Sequence, residues 1–120
     1  MIMNRRMSLA DFLEKLKTTP ETVTFDNTIA VIEENYIFSE TAFTNGETKN
    51  AAGQNNGSCK IFAFCHLNGL TESQTLPCFG DYYRTDVLKN PDSDDHQNIR
   101  QFIKQGWQGI SFDGSALILK

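Results

Sequence analysis

Residues 58–67, SCKIFAFCHL, are the stretch that decides the fold. Their apolar side chains leave almost no polar face, which is typical of a helix that is buried on all sides rather than of a surface helix. Ser58 is predicted to cap this helix at its start, and Gly69 to stop it. Because such a helix needs neighbours all around it, we predict that it forms the centre of the core.

Capping residues followed by apolar side chains at helical spacing predict four further helical segments around this centre. They are 8–17, 26–36 with Asp26 as the cap, 71–89 with a break near Pro77 and Gly80, and 94–106 with Asp94 and Gln97 as a capping pair. Residues 22–25 are β-branched and alternating, so they predict either a short strand or an extended approach to the second helix.

Turn signals and alternating residues predict a small amount of sheet. Residues 37–43 favour a strand that ends at the turn signal Asn45-Gly46. Near the C-terminus, apolar residues flank Asp113-Gly114, which predicts a β-hairpin. The intervening Asn-rich segment 45–57 has no large apolar residue, so it is predicted to be a long loop that adds nothing to the core.

Length and composition predict an α+β fold, a mainly helical single domain over residues 1–120 with a small antiparallel sheet. The formal net charge of −4 disfavours nucleic-acid binding, which needs clustered basic residues. No apolar run is long enough for a membrane span or a signal peptide, so a cytoplasmic protein with no membrane contact is expected. Three cysteines without CxxC spacing predict reduced thiols, with no disulfide, metal or cofactor.

Five stretches of this sequence resemble the HopJ type III effector family over nearly the whole chain. They are FLEKL (12–16), VTFDNTIAVIEENYIF (23–38), TAFTNGETKNAAGQNNGSCKIFAF (41–64), FGDYYRTDVL (79–88) and DDHQNIRQFIKQGWQGISFDG (94–114). The resemblance implies a compact, mainly helical α+β domain and, through the family name, secretion by a type III system. It implies no catalytic residue, because the family has no established activity to carry over.

The start of the apolar helix is the sharpest candidate site. A helix N-terminus exposes unpaired N–H groups and a partial positive charge, which together bind anions. Gly57 permits close approach, Ser58 offers a hydroxyl and Lys60 adds a charge. The spacing does not fit the phosphate-loop pattern, so nucleotide hydrolysis is not predicted. The alternative interpretation is that Ser58 only caps a buried helix.

Cys59 lies in the first turn of this helix, where the pKa of a thiol falls, so a cysteine enzyme with His96 as its base is an alternative hypothesis. His66 is two turns along the same helix, too far to serve as that base. A buried and inert thiol is the competing interpretation of Cys59.

We predict that the Asn-rich loop and the segment 96–100 form one polar face that binds a small polar or anionic ligand or a partner protein. Arg84 could bind a ligand carboxylate or an internal one, such as that of Glu33 or Glu34. A secreted effector that acts on a host protein by binding is the third hypothesis. The predicted binding residues are Asn45, Asn50, Asn56, Gly57, Ser58, Lys60, Arg84, His96, Asn98 and Arg100.

Overall fold

The computed structural model describes residues 8–120. This part of the chain contains five α-helices and five short strands. The helices are α1 (Leu9–Thr18), α2 (Phe25–Asn35), α3 (Asn56–Leu67), α4 (Glu72–Thr75) and α5 (Gln97–Gln105). The strands are β1 (Tyr36–Phe38), β2 (Phe43–Asn45), β3 (Thr48–Asn50), β4 (Ile110–Phe112) and β5 (Leu117–Leu119). The predicted α+β class with mainly helical content is confirmed. None of these helices is long and apolar enough to cross a membrane.

Helix α3 is the centre of the core, as its composition predicts. Six of its residues, from Cys59 to Cys65 with the exception of Lys60, are buried. The ring of Phe62 contacts the rings of Phe43, Phe79 and Phe102 at centroid distances of 6.3, 5.3 and 5.0 Å. One aromatic side chain therefore joins α3 to strand β2, to the segment after α4 and to α5.

The predicted break at Pro77 and Gly80 is confirmed. Pro77 lies in a 3-10 turn (Leu76–Phe79), and Gly80 then adopts a φ of 61°. A Cβ at Gly80 would lie 2.6 Å from the backbone nitrogen of Phe25, so only glycine fits there. The chain resumes as a π-helix (Tyr82–Val87), a geometry that is frequent at functional sites.

The start of α2 corrects one predicted cap and settles one alternative. Thr24, rather than Asp26, caps this helix, because its hydroxyl accepts the N–H of Asn27 at 3.0 Å and the Asn27 side chain accepts the N–H of Thr24. Asp26 lies one residue inside α2, where a carboxylate still favours the helix dipole. Val23 is the extended approach to α2, and no strand forms there.

The predicted hairpin at Asp113-Gly114 is wrong, because the two segments that flank it pair with different strands. β4 pairs antiparallel with β2, and β5 pairs antiparallel with β1, which gives a three-stranded sheet β3-β2-β4 and a two-stranded sheet β1-β5. Phe112 in β4 faces Phe43 across the first sheet, with ring centroids 5.7 Å apart. β4 and β5 each pair with an earlier strand that offers an apolar partner. This tertiary packing outweighs the local turn signal at Asp113-Gly114.

The Asn-rich segment is also different from its prediction, since it forms the β2–β3 hairpin, which turns at Gly46 and Glu47. Asn45 and Asn50 are 0% and 3% exposed, so the segment does contribute to the interior. Composition does not reveal this arrangement, because polar side chains can be buried when most of their hydrogen bonds are made within the protein. Nδ2 of Asn45 donates to Asn98, while Oδ1 of Asn45 has no partner among residues 8–120.

Candidate functional site

The starts of α3 and α5 share an unusual form. The residue that precedes each helix has a left-handed backbone, Asn55 with φ 53° and His96 with φ 52°, and neither side chain caps its helix. They are the two non-glycine residues with positive φ in the described chain. The predicted caps Ser58 and Asp94 are therefore wrong. Both helices begin with first-turn N–H groups that no side chain covers.

Ser58 and Asp94 fail as caps because of where the backbone places them. Ser58 is the third residue of α3, inside its first turn, and its hydroxyl has no hydrogen-bond partner within residues 8–120. Asp94 acts through its carbonyl oxygen, which accepts the side-chain amide of Gln97 at 2.8 Å. Both residues instead line the same hollow.

The two helix starts open onto one cleft of about 410 Å³. Asn55, Gly57 and Ser58 line it from α3, and the residues from His96 to Ile99 line it from α5. Phe25, Phe79 and Tyr82 form an aromatic wall. Since the macrodipoles of both helices place partial positive charge at their starts, the cleft suits a negatively charged or strongly polar group.

Glycine at position 57 allows a close approach to the aromatic wall. A Cβ there would lie 3.0 Å from Cζ of Phe25, closer than ordinary van der Waals contact. Gly57 thus lets Phe25 pack directly against the start of α3, and it leaves the backbone N–H groups of the first turn open to the cleft.

Behind the cleft lies a cluster of buried amide side chains, Asn45, Asn50 and Asn98, which we call the amide cluster. Asn98 accepts from Asn45 at 3.0 Å and from Asn50 at 3.2 Å through Oδ1, and its Nδ2 donates to Oδ1 of Asn50 at 3.0 Å. Asn55 also donates to Oδ1 of Asn50, at 2.7 Å. The cluster therefore ties the β2–β3 hairpin to both helix starts.

His96 is held against the aromatic wall. Its Nε2 lies 3.0 Å from Oδ2 of Asp86 and 3.9 Å from Oδ2 of Asp95. Its ring packs on the ring of Tyr82 with centroids 5.1 Å apart, and Tyr82 in turn packs edge-on against Phe25. Nδ1 of His96 has no hydrogen-bond partner among residues 8–120, and His96 is one of the residues that line the cleft.

Lys60, Arg84 and Arg100 were predicted to bind a ligand, but each contacts other groups of the protein instead. Lys60 pairs with Glu33 at 3.1 Å and lies over the ring of Phe38. Arg84 donates to the carbonyl oxygens of Pro20 and Val23. The partners of Arg84 are therefore internal, but the hypothesis that Glu33 supplies the carboxylate is wrong, because Oδ1 of Asp81 lies 3.7 Å from Arg84 and Glu33 pairs with Lys60.

Arg100 and Asn56 also point to protein partners. Arg100 is buried and donates to Oδ1 of Asp95 at 2.6 Å, and this guanidinium holds the pKa of the Asp95 carboxyl below its ordinary value. Asn56 donates to Oε2 of Glu40 at 3.2 Å. Of the ten predicted binding residues, the cleft is lined by Gly57, Ser58, His96 and Asn98, with Asn45 and Asn50 directly behind it.

Cys59 does not have the surroundings of a nucleophile. It is 0% exposed, and its thiol donates to the carbonyl oxygen of Thr41 at 3.6 Å. Burial raises the pKa of the Cys59 thiol, which disfavours the reactive thiolate. The competing interpretation of a buried, inert thiol is the one that this geometry supports.

Sequence reasoning missed Asn55, Tyr82 and Asp86 as parts of the site. Tyr82 and Asp86 are four residues apart, which places them on one face of a helical segment, and this spacing was the signal available. Nothing in the local sequence pairs Asp86 with His96, since the contact depends on the π-helix after Gly80.

Within the described chain, no group of three or more His, Cys, Asp or Glu residues is arranged to hold a metal ion.

Comparison with known proteins gives a family and one related structure. The family model described as HopJ type III effector protein matches residues 9–117. A crystal structure described as unknown function protein VPA0580 is similar to this chain, with 53% sequence identity and a TM-score of 0.95, and the match covers 100% of both chains. No curated protein sequence matches.

We predict that Asn98→Ala destabilises the protein by about 2–3 kcal/mol, because it leaves the buried amides of Asn45 and Asn50 without their shared partner. Urea unfolding followed by circular dichroism measures this change in the free energy of unfolding. Asn90→Ala is the matched control, since the exposed Asn90 side chain bonds only a neighbouring carbonyl. Equal stability of the two variants would contradict the importance of the amide cluster.

We also predict that a thiol reagent at pH 8 leaves the native protein unlabelled, because Cys59, Cys65 and Cys78 are each 0% exposed. All three should react after unfolding in guanidinium chloride. Mass spectrometry of the alkylated protein counts the modified thiols in each state. Rapid native labelling at Cys59 would show an accessible thiolate and would restore the cysteine-enzyme hypothesis.

Proposed function

We propose that this chain, which belongs to the HopJ type III effector family, binds a small polar or anionic ligand in the cleft between the starts of α3 and α5. The single observation that carries the proposal is the convergence of two uncapped helix starts on one hollow. Helix starts in proteins are ordinarily covered by a side chain of the helix's own cap. Here both are left open side by side.

The surroundings of the cleft support a ligand with a small negatively charged head. The Ser58 hydroxyl is free to donate, and the first-turn N–H groups at Gly57 and Asn98 lie at the two starts. Since Lys60, Arg84 and Arg100 are paired elsewhere, the attraction comes from backbone dipoles rather than from mobile cations. The Asp94 carboxylate also lines the cleft and opposes the entry of highly charged anions, which favours a ligand with a single negative charge.

The aromatic wall favours a ligand that also has an apolar or planar part. Phe25, Phe79 and Tyr82 present apolar ring surface next to the polar helix starts. Binding sites commonly combine such a wall with a few well-placed polar groups, which fix the orientation of the ligand. A ligand that joins a carboxylate or phosphate to a short apolar or planar body fits both halves of the cleft.

We predict that Ser58→Asp stabilises the protein and weakens anion binding. A carboxylate in the first turn of α3 favours the helix dipole by about 0.3–1 kcal/mol, yet it occupies and repels the place of the ligand anion. In a ¹⁵N NMR titration with inorganic phosphate, the wild type should show shifts at Gly57, Ser58, Gln97 and Asn98. The variant should bind at least about tenfold more weakly, a difference of about 1.4 kcal/mol.

Ser115→Asp is the matched control for this experiment, because it makes the same charge change on an exposed serine outside the cleft. It should leave the phosphate shifts unchanged. If neither inorganic phosphate nor small carboxylates shift any of the four cleft amides in the wild type, the proposal is rejected.

A second proposal, favoured by one separate observation, is that the chain is exported and acts by binding a host protein. On the outer face of the β1-β5 sheet, Ile37 and Ile118 are cross-strand partners that are 56% and 57% exposed. Contiguous exposed apolar surface is one feature of protein interaction sites, and this pair supports such a contact here. The family name makes a secreted effector the natural setting for such a contact.

We predict that a translocation reporter fused after Lys120 enters host cells from a bacterium with a working type III system. A strain whose secretion ATPase is inactive is the control and should deliver none. The double variant Ile37→Lys with Ile118→Lys should be delivered as well as the wild type. It should no longer bind the host protein. Equal delivery by both strains, or delivery by neither, would reject the effector proposal.

A further inference from the structure

We propose that the cleft hydrolyses small anionic carboxylic esters, with His96 as the general base and Asp86 as the residue that positions it. This inference rests on the proposed function, because the same cleft must first bind the anionic group of the ester. It goes further by assigning a reaction and two residues to that cleft.

The first observation is the pairing of Asp86 with His96. Nε2 of His96 lies 3.0 Å from Oδ2 of Asp86, which is hydrogen-bond distance. A carboxylate on one ring nitrogen fixes the proton there and leaves the other nitrogen, Nδ1, as the acceptor. Nδ1 has no partner among residues 8–120, so it can take a proton from a molecule in the cleft.

The second observation is that the imidazole is held in place by its surroundings. The Tyr82 ring packs on one face of His96 at a centroid distance of 5.1 Å. Tyr82 and Asp86 both come from the π-helical segment that follows Gly80, so one element supplies the packing surface and the carboxylate. A general base needs this kind of fixed geometry before its reaction begins.

The third observation is that the cleft also contains donors for a developing negative charge. In ester hydrolysis the carbonyl oxygen becomes an oxyanion, which unpaired backbone N–H groups stabilise. The uncapped starts of α3 and α5 supply two such sets on the walls around His96. One set can hold the anionic substituent of the substrate while the other holds the oxyanion.

The reaction balances with water as the nucleophile. Nδ1 of His96 removes a proton from a water molecule as its oxygen bonds to the ester carbon, which forms a tetrahedral oxyanion. When this intermediate collapses, the bond from carbon to the alcohol oxygen breaks, and the imidazolium returns the proton to the leaving alkoxide. The products are a carboxylic acid and an alcohol, and no oxidant or metal ion takes part.

Two protein groups that could replace water are excluded by their contacts. The Cys59 thiol is buried against the carbonyl oxygen of Thr41. Ser58 lines the cleft, but its hydroxyl makes no hydrogen bond to His96, so it lacks the activated geometry of a nucleophile. Water in the open cleft is therefore the attacking group.

The test compares two chromogenic esters, 4-nitrophenyl acetate and the anionic mono-4-nitrophenyl glutarate, with the full chain. The wild type should hydrolyse the anionic ester above the rate in buffer and with a higher kcat/KM than the neutral one. His96→Asn keeps a residue that tolerates the left-handed backbone, so the fold should survive. Its kcat should fall by about 10²-fold or more, the usual loss when a general base is removed.

Asp86→Asn tests the positioning role. It should lower kcat by about tenfold or more while KM and the melting temperature stay close to those of the wild type, since substrate binding does not involve this carboxylate. Asp81→Asn is the matched control, because Asp81 lies just before the same segment and is exposed outside the cleft. It should leave both kcat and KM unchanged.

Glutarate binding, followed by NMR on the same samples, separates the two levels of the proposal. Glutarate shifts at the cleft amides with no ester hydrolysis, or with hydrolysis that His96→Asn leaves intact, would overturn the catalytic inference and leave the binding proposal standing. Neither shifts nor hydrolysis in the wild type would overturn both. Shifts together with hydrolysis that depends on His96 and Asp86 would support both.

Discussion

The arrangement of the cleft depends on the buried hydrogen bonds of the amide cluster. Asn98 belongs to α5, while Asn45 and Asn50 belong to the β2–β3 hairpin, and Asn55 precedes α3. Because a buried amide that loses its partner is costly, these four side chains fix each other's positions. The hairpin thereby sets the distance and direction of both helix starts, and the cleft between them follows from that constraint.

Among residues 8–120 no Lys or Arg lines the cleft, so its positive potential comes from the backbone of the two helix starts and is opposed by the Asp94 carboxylate. Lys60, Arg84 and Arg100 each make their contacts with protein oxygens rather than with the hollow. A cation on a long side chain would attract anions of many shapes, whereas backbone N–H groups are fixed in direction. The geometry of two helix starts and an aromatic wall therefore favours selection by shape as well as by charge.

The sequence carries strong signals for the elements but weak ones for their partners. The buried helix α3 and the break at Gly80 could both be predicted, because each depends on local periodicity or backbone conformation. The pairing of β4 with β2 and the burial of Asn50 could not, because both depend on contacts between distant residues. The same is true of the site, where His96 was visible in the sequence and its partner Asp86 was not.

The most direct test of the account is the anomalous diffraction of a crystal of the wild-type protein soaked in tungstate, an oxyanion whose heavy atom can be located without bias. The account predicts one anomalous peak in the cleft, within hydrogen-bond reach of the first-turn N–H groups of both α3 and α5. A cleft without a peak, or helix starts covered by the protein's own side chains in that crystal, would contradict it.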